Sequence, residues 1–358
     1  MFERYAYKAI THRYAQSNIT TREEERDMQT WAKIVVVAAA ATVLIIAGSY
    51  AYFQSLVRTR LLVSTTTSLY ETGLLNATKT AFEGKYPINL AFIAVGTGQA
   101  IQQAQGGSVD ALLVHSPSQE IQFLQGGDGV CRKIIAYNFF TVIGPASDPA
   151  DINGSSVSVA LQKIVDYGRN HTSSKVWVSR GDGSGTHTKE KSLWAKAGFN
   201  YTQISTESWY ASSGQGMTVT LNMANEFQAY TLSDTGTYWK LLKDGTISLV
   251  AFITETKDLL NVYSVIAVNQ TKHPSVNITN AITFIRYLIS DEGQQLIENY
   301  GKETYGQSLF HSAVQLLKQN STQLIVQWIK DYAFIKDGNE SYECPPKYRD
   351  NRFPDLYG

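Results

Sequence analysis

The sequence predicts an α/β protein with two globular lobes behind one apolar N-terminal helix. The 358 residues are enough to bury a large core and to form more than one lobe. Short β-rich runs alternate with helical stretches beyond residue 58, a pattern typical of βαβ units and largely parallel sheets. A run of 24 uncharged residues, 34–57, precedes them.

The apolar run 34–57 is long enough to span the hydrocarbon core of a bilayer, which is roughly 30 Å thick. A buried core helix and a cleaved signal peptide are the alternatives, and Ser49-Tyr50-Ala51 has the small-x-small shape of a cleavage site. We prefer an uncleaved anchor, with residues 1–33 as a cytoplasmic tail, because the basic flanks favour that orientation. The residues that carry this bias are Arg13, Arg22, Arg26 and Lys33 before the run, against Arg58 and Arg60 after it.

Asn-x-Ser/Thr sequons are unusually frequent. Nine of the 17 asparagines begin one, and eight of the nine lie beyond the apolar run. This excess predicts a glycosylated outer face, although a Ser/Thr-rich chain also produces sequons by accident. The sequons begin at Asn18, Asn76, Asn153, Asn170, Asn200, Asn269, Asn277, Asn320 and Asn339.

Charge and cysteine content exclude several classes of function. The 31 basic and 31 acidic residues cancel, which argues against nucleic acid as a partner. Cys131 and Cys344 are too few for a thiolate zinc site, and the six histidines lack metal-site spacing. Outside the cell the two cysteines could form a disulfide that ties the C-terminal tail to the body. Their spacing alone leaves open whether they meet.

The pattern of strands and connections predicts how the domains are organised. We expect a discontinuous lobe 1 from residues 58–143 and 262–317, a lobe 2 from residues 144–261, and a C-terminal extension over 318–358. The predicted strands are 61–63, 88–95, 111–114, 134–143, 176–178, 229–232, 250–253 and 262–268, and the predicted helices are 69–86, 98–107, 186–198 and 279–289.

The segment SRGDGSGTH, residues 179–187, lies between a strand and a helix. Its glycines permit tight turns, and Ser184, Gly185 and Thr186 are expected to present free amides at the helix N-terminus, where anions bind. Arg180 adds a planar guanidinium suited to an oxyanion. Asp182 would repel an anion, so its expected role is to hold Arg180. Taken alone, the segment fits a capped helix equally well.

Three more junctions between a strand and a helix carry small hydroxyl residues or glycine. STTTS at 64–68 and GTG at 96–98 repeat the pattern of the first segment, and Ser116 follows a third strand. Junctions of this kind from both lobes predict a cleft lined by hydrogen-bond donors.

These motifs, in this order, resemble the extracytoplasmic tungstate-binding proteins of ABC uptake systems. The matching stretches include TTTSLYETGLL at 65–75, AVGTGQAI at 94–101, VDALLVHSP at 109–117, VSRGDGSGTHTKEKSLW at 178–194 and AYTLSDTGTY at 229–238. The resemblance covers residues 61–310 approximately. It implies a two-lobed type II periplasmic-binding-protein fold that closes on tungstate, or less favourably molybdate, with an ABC permease and ATPase as partners. It implies no enzyme activity and no cofactor.

The resemblance also implies a set of ligand-binding residues. These are Thr66, Thr67, Ser68, Thr97, Ser116, Arg180, Ser184 and Thr186, with Asp182 behind them. Related phosphate receptors usually carry a carboxylate where this chain has His115 and Ser116, which suits a fully deprotonated dianion better than hydrogen phosphate.

The chain departs from the family pattern at both ends. The apolar helix replaces the lipid anchor of many relatives, and residues beyond 318 have no counterpart in the matching region. Together with the sequons, a helical anchor would suit an archaeal cell surface. The segment DGSGT does not match the Gly-x-Ser-x-Gly elbow of a hydrolase. The anchor, the sequons and the unmatched tail suggest the rival function, a surface structural or adhesive glycoprotein that reuses the binding-protein fold.

Overall fold

The structure is a computed structural model that describes residue 28 and residues 30–49, 58–319 and 323–357. It divides into two compact units at Arg58. In the first unit, helix α1 (Thr30–Ser49) is exposed along its length and is long and apolar enough to cross a membrane. A signal sequence near the N-terminus has the same properties. Residues 1–27 of the expected tail and 50–57 of the expected span lie outside the described residues.

The second unit is an α/β body built on a mixed sheet with the strand order β2-β1-β3-β9-β4-β7-β5-β6, to which β8 and β10 add on β4. The strands are β1 (Thr59–Thr66), β2 (Ile88–Val95), β3 (Ala111–Val114), β4 (Gly129–Gly144), β5 (Trp177–Ser179), β6 (Tyr210–Ser212), β7 (Tyr230–Asp234), β8 (Val250–Ile253), β9 (Leu260–Val268), β10 (His311–Ser312), β11 (Ile335–Asp337) and β12 (Glu340–Tyr342). The helices are α2 (Thr67–Glu71), α3 (Leu74–Lys85), α4 (Thr97–Gln105), α5 (Pro117–Gln125), α6 (Val157–Asn170), α7 (Gly185–Lys196), α8 (Tyr201–Ile204), α9 (Met217–Phe227), α10 (Thr235–Lys243), α11 (Ile278–Ile289), α12 (Asp291–Asn299), α13 (Lys302–Tyr305), α14 (Val314–Lys318) and α15 (Leu324–Ala333).

Strand β4 belongs to two halves of the body. Its residues 129–139 pair with β9, and its residues 140–144 pair with β7 and β8. We call the half around β1, β2, β3 and β9 lobe 1 and the half around β5, β6, β7 and β8 lobe 2. The exact lobe boundaries stay a prediction.

The expectation of largely parallel sheets is wrong. Among the described strands of the large sheet, four pairings are parallel and five are antiparallel. The antiparallel pairings all involve β4 or β9, the two long strands that run between the lobes. One of these strands takes the chain from lobe 1 to lobe 2 and the other takes it back, so the two strands lie antiparallel. The local sequence pattern does not reveal this arrangement.

Most predicted strands lie where the hydrophobic runs indicate. Strands β2, β3 and β8 have the predicted bounds, whereas the short strands β6, β10, β11 and β12 were not predicted. The single helix predicted over 69–86 is two helices, α2 and α3. Gly73 separates them, since its φ of 88° is a left-handed conformation that ends α2.

Each lobe has its own apolar core. In lobe 1, Phe82 of α3 packs edge-on against Phe284 of α11, with ring centroids 5.2 Å apart. In lobe 2, Trp177 and Trp194 pack edge-on at 5.0 Å, and Trp209 lies in the same core. Each lobe is therefore packed around its own core, and strands β4 and β9 run between the two.

The predicted sequons differ in exposure. Five of the asparagines are exposed, Asn269 and Asn277 are half-buried, and Asn18 and Asn320 lie outside the described residues. The exposed ones are Asn76, Asn153, Asn170, Asn200 and Asn339.

The C-terminal extension folds against lobe 1. The apolar face of α15, including Ile329 and Ala333, packs on Ile134 of β4 and on Leu260 and Val262 of β9. Cys131 and Cys344 are both buried as free thiols, so the disulfide between them stays a prediction.

A fully buried ion pair joins the extension to the body. Arg132 of β4 lies 2.8 Å from Glu120 of α5, and both side chains have no exposed area. The Arg132 Nη1 atom donates to the carbonyl of Ala333 at 2.8 Å and to that of Glu343 at 2.9 Å. One guanidinium therefore satisfies a buried carboxylate and two carbonyls of the extension.

Replacing Arg132 by Met should lower the free energy of unfolding by about 3 to 5 kcal/mol, because Glu120 would be left as an unpaired buried charge. Urea unfolding followed by tryptophan fluorescence measures the loss. The matched control is Lys240→Met, which removes the partly exposed pair with Asp244 and should cost at most about 1 kcal/mol. Equal stability of the two variants would contradict this account of the pair.

Candidate functional site

In lobe 1, three strands end side by side and each leads into the N-terminus of a helix. Strand β1 pairs in parallel with β2 and with β3, so their carboxyl ends lie at one edge of the sheet. Thr66 ends β1 and caps α2, Thr97 begins α4, and Ser116 precedes α5. All three residues are buried. The candidate residues of lobe 1 are therefore neighbours in space.

In lobe 2, the candidate residues lie on the loop between β5 and α7. Gly181 and Gly183 have φ values of 61° and 74°, a backbone conformation that glycine adopts without strain. They turn the chain so that Asp182 accepts hydrogen bonds from the Nε and Nη2 atoms of Arg180. Burial alone would raise the pKa of Asp182, but the Arg180 charge and hydrogen bonds from Ser184 outweigh it and lower the pKa.

The two sets of loops meet across the cleft. The Nη2 atom of Arg180 donates to Thr67 Oγ1 at 3.1 Å, and the amide of Gly185 donates to Thr97 Oγ1 at 3.1 Å. Two further bonds flank them, from Gln119 Nε2 to Thr188 Oγ1 at 3.1 Å and from Thr218 Oγ1 to Glu71 Oε2 at 2.6 Å. The structure thus shows the lobes in contact.

Three buried polar atoms at this junction have no hydrogen-bond partner within the described chain. They are Arg180 Nη1, Thr186 Oγ1 and His115 Nε2. Arg180 is 2% exposed and Thr186 is 1% exposed, so bulk water does not satisfy them. A buried polar group without a partner costs about 1 to 3 kcal/mol. Arg180 Nη1 is therefore placed to donate to a small acceptor at this junction.

The expectation of three free amides at the start of α7 is wrong for two of them. The Ser184 amide donates to Asp182 Oδ1 at 3.1 Å, and the Gly185 amide donates to Thr97 across the cleft. The Ser184 hydroxyl caps the helix by accepting from the amide of His187. The Ser184 amide therefore stabilises the loop, because a side chain two residues away accepts its hydrogen bond. The Gly185 amide stabilises the contact between the lobes.

The hydroxyls of the first junction also have partners. Thr66 Oγ1 accepts from the Leu69 amide at 3.3 Å and lies 3.4 Å from Ser68 Oγ. Ser116 makes no capping hydrogen bond with its side chain, while its amide donates to Glu120 Oε1. A hydroxyl that accepts one hydrogen bond still has its own proton to donate.

Sequence reasoning missed Glu190, a buried carboxylate of α7 that supports the loop. It accepts from Trp177 Nε1, Trp194 Nε1, Tyr210 OH and Ser179 Oγ, at 2.6 to 3.1 Å. Ser179 Oγ in turn accepts from the Gly181 amide at 3.1 Å. The signal available in the sequence was a carboxylate on the same helix face as Leu193 and Trp194, which is weak evidence on its own.

His187 fixes the other side of the loop. Its Nδ1 atom accepts from the Gly183 amide at 2.9 Å, and its Nε2 atom lies 2.7 Å from Tyr201 OH. Burial lowers the pKa of His187 to about 4, and the nearby charge of Lys191 adds to this effect. The ring is therefore neutral at pH 7, with Nδ1 free to accept. The residues described here hold no group of three or more His, Cys, Asp or Glu suited to a metal ion.

Comparisons with known proteins give a matching family model and similar relatives. Residues 37–292 match the family model described as a PBP superfamily domain. The tungstate-binding protein TupA of Peptoclostridium acidaminophilum is 39% identical over 254 residues, which are 70% of this chain and 84% of that protein. The expectation of a binding protein rather than an enzyme is confirmed by these relatives.

Two solved structures are similar in fold and sequence. The tungstate-binding protein TupA from Desulfovibrio alaskensis G20 has a TM-score of 0.60 and 38% identity, covering 71% of this chain and 99% of its own. The tungstate ABC transporter protein from Geobacter sulfurreducens has a TM-score of 0.60 and 40% identity, covering 67% and 98%. The type II binding-protein fold expected from the motifs is confirmed.

Replacing Glu190 by Gln should lower the free energy of unfolding by about 2 to 4 kcal/mol, because the amide NH₂ would face donors that now bind a carboxylate. Thermal or urea unfolding measures the loss. The control is Glu226→Gln on the exposed face of α9, where no change beyond about 0.5 kcal/mol is expected. A Glu190→Gln variant as stable as the parent would show that the carboxylate does not hold the loop.

Proposed function

Because the chain belongs to the tungstate-binding family of ABC transporter substrate-binding proteins, within the PBP superfamily, we propose that it captures tungstate outside the cell membrane. It then presents the anion to a permease driven by an ATPase. The two lobes close on the anion and exclude water from it. The rival function, a structural or adhesive surface glycoprotein, has no support in the names of these relatives.

The unpartnered Nη1 atom of Arg180 is the observation that carries the proposal. Two of the three guanidinium nitrogens are held by Asp182 and Thr67, which fixes the orientation of the third. A buried cation with one unused donor is matched by an anion. Asp182 accepts from the Nε and Nη2 atoms through a single carboxylate oxygen, so Nη1 is the guanidinium nitrogen that is left to donate to a ligand.

The strength of such a site is consistent with a high-affinity receptor. A charge-assisted hydrogen bond contributes roughly 1.5 to 3 kcal/mol, and nanomolar affinity needs about 12 kcal/mol. About six donors are therefore sufficient. The proposed donors are Arg180, Thr186, Ser184, Thr97, Ser116, Thr66, Thr67 and Ser68, with Asp182 as the residue that positions Arg180.

Tungstate is the first choice of ligand because the relatives bear its name. Molybdate is a tetrahedral dianion of nearly the same size, so it should compete for the site. Near Ser116 the carboxylate of Glu120 is already engaged by Arg132 and the Ser116 amide, so an acceptor that is left for the proton of hydrogen phosphate is the neutral Nε2 of His115.

We further propose that α1 anchors the chain in the membrane with the body outside. The basic flank before residue 34 and the eight sequons beyond the apolar run favour the same orientation. The exposed sequons of the body are accessible to glycosylation. Such an anchor keeps the receptor close to the permease that it serves.

Replacing Arg180 by Ala should weaken tungstate binding by about 2 to 5 kcal/mol, because a desolvated charge-assisted pair is lost and Asp182 is left near the anion. Titration calorimetry of the detergent-solubilised chain measures the change. Arg169→Ala is the control, since Arg169 forms an exposed pair with Glu207 on lobe 2 and should leave affinity unchanged.

Two outcomes would contradict the proposal at different levels. Unchanged affinity in the Arg180→Ala variant would remove this residue from the site. The absence of binding heat with tungstate, molybdate, sulfate and phosphate in the unmodified chain would reject the receptor function and favour the structural one.

Glycopeptide mapping of the chain purified from its native membranes tests the orientation. Glycans are expected on exposed sequons of the body such as Asn76 and Asn153, and Asn18 should be unmodified because it precedes the membrane span. The protein should remain with the membranes after alkaline extraction. A glycan on Asn18, or release of the chain by alkali, would show that the anchor is wrongly assigned.

A further inference from the structure

His115 is held in one tautomer by its neighbours. Its Nδ1 atom lies 2.9 Å from Asn261 Oδ1. The amide nitrogen of Asn261 donates to Asn138 Oδ1 and to Tyr263 OH, so only an acceptor faces the ring. Nδ1 must therefore carry the proton. A neutral His115 then has a bare lone pair on Nε2.

This lone pair lies at the proposed anion site. His115 is 2% exposed, and Nε2 has no partner. A Cβ atom on Gly185 would lie 3.0 Å from His115 Cε1 and 3.3 Å from Nε2, so the ring packs against the first residue of α7. The next residue is Thr186, whose hydroxyl also has no partner. The positive charge of Arg180 is close enough to disfavour protonation of the same ring.

Without an anion, the surroundings of His115 disfavour the protonated, positively charged form of its ring. Burial lowers the pKa of His115 to about 4, the hydrogen bond to Asn261 opposes this effect, and the charge of Arg180 adds to it. The ring is neutral at pH 7. A neutral Nε2 would direct its lone pair at a dianion that has no proton to share, which is repulsive.

A dianion in the cleft favours the protonated form of the His115 ring instead. It offsets the field of Arg180 at the ring, and it offers an oxygen that can accept from a protonated Nε2. An opposite charge within about 4 to 6 Å favours the charged form of a titratable group. Tyr263 stacks on the ring with centroids 4.9 Å apart and stabilises the same orientation.

We propose that His115 takes up one proton from solvent when the oxyanion binds, and that its Nε2–H then donates to an oxygen of the ligand. One N–H bond forms and no bond of the anion breaks. His115 thereby becomes a ligand-binding residue whose Nε2–H donor is present only in the anion-bound state. This inference rests on the proposed function and names the protonation change that accompanies it.

Other ionisable groups near the ring are already committed. Asp182 accepts two hydrogen bonds from Arg180, and Glu120 accepts one from Arg132. His187 uses both ring nitrogens, and Asp234 accepts two hydrogen bonds from Thr237. The remaining groups on the packed elements are Tyr263 of β9, whose pKa is raised well above 10 by burial, and Lys189 of α7, whose pKa is lowered to about 8 by burial.

Calorimetry in buffers of different ionisation enthalpy measures the proton uptake. The full chain is titrated with sodium tungstate at pH 7.0 in PIPES, HEPES and Tris, where Lys189 is already mostly charged. We expect uptake of more than about half a proton per anion, and affinity that falls up to about tenfold per pH unit between pH 7 and the pKa of bound His115. The sign follows because binding raises the pKa of His115, so its contribution is lost as pH rises.

The variant His115→Gln tests whether this residue takes up the proton. Its side-chain amide can donate without titrating, so tungstate should bind within about tenfold of the parent affinity with no proton uptake and a flat pH profile. The control is His273→Gln, at a histidine that contacts Asp128 in lobe 1, which should keep the full uptake.

Nitrogen NMR of histidine-labelled parent chain gives a second readout that does not require the variant to bind. The Nε2 resonance of His115, identified by its absence in the spectrum of His115→Gln, should move to the protonated range when tungstate saturates the site. Tungstate binding without proton uptake by the parent chain, or equal uptake by His115→Gln, would overturn the inference. Absence of any binding heat would instead reject the proposed function itself.

Discussion

The site depends on one buried guanidinium whose three nitrogens are used differently. Arg180 is anchored by Asp182 of its own loop and reaches Thr67 of the facing lobe, which leaves Nη1 as the donor for a ligand. A buried charge is tolerated only when it is paired and hydrogen-bonded. The contact with Thr67 also joins the lobes, so under the proposed function closure of the cleft would complete the anion site.

The loop that carries Arg180 is rigid because of what lies behind it. Glu190 holds Ser179, and Ser179 and His187 hold the amides of Gly181 and Gly183. Two glycines in the left-handed region let the chain turn tightly between these supports. Pre-organised donors lose little freedom when a ligand binds, and this is the physical basis of tight binding to a small ion.

The sequence contains the local elements of this arrangement but not the contacts between distant residues. Strands β2 and β3 follow directly from their apolar runs, and the junctions follow from clusters of Gly, Ser and Thr. The free amides could not be predicted correctly, because the Gly185 amide is taken by Thr97, a residue of the other lobe. That contact joins residues that are 88 positions apart in the chain, so it depends on the tertiary fold.

Buried charged residues that belong to no recognisable motif were likewise not predictable from the sequence. Glu190 and Glu120 lie in polar stretches, TKEKS and SQEIQ, Arg132 is followed by Lys133, and only tertiary packing shows that the three residues are buried and satisfied. The C-terminal extension is a similar case, since its aromatic and polar composition does not indicate that α15 covers β4 and β9. In contrast, the glycine-rich loop was recognisable because its conformation is a local requirement.

A crystal structure of the full chain grown with tungstate would test the central claim most directly, since tungsten gives a strong anomalous signal. The account predicts one anomalous peak between the lobes, with oxygens within hydrogen-bond distance of Arg180 Nη1, Thr186 Oγ1 and the residues after β1. A fully occupied peak elsewhere on the molecule, with the inter-lobe contacts of Arg180 unchanged and no density beside Nη1, would contradict it.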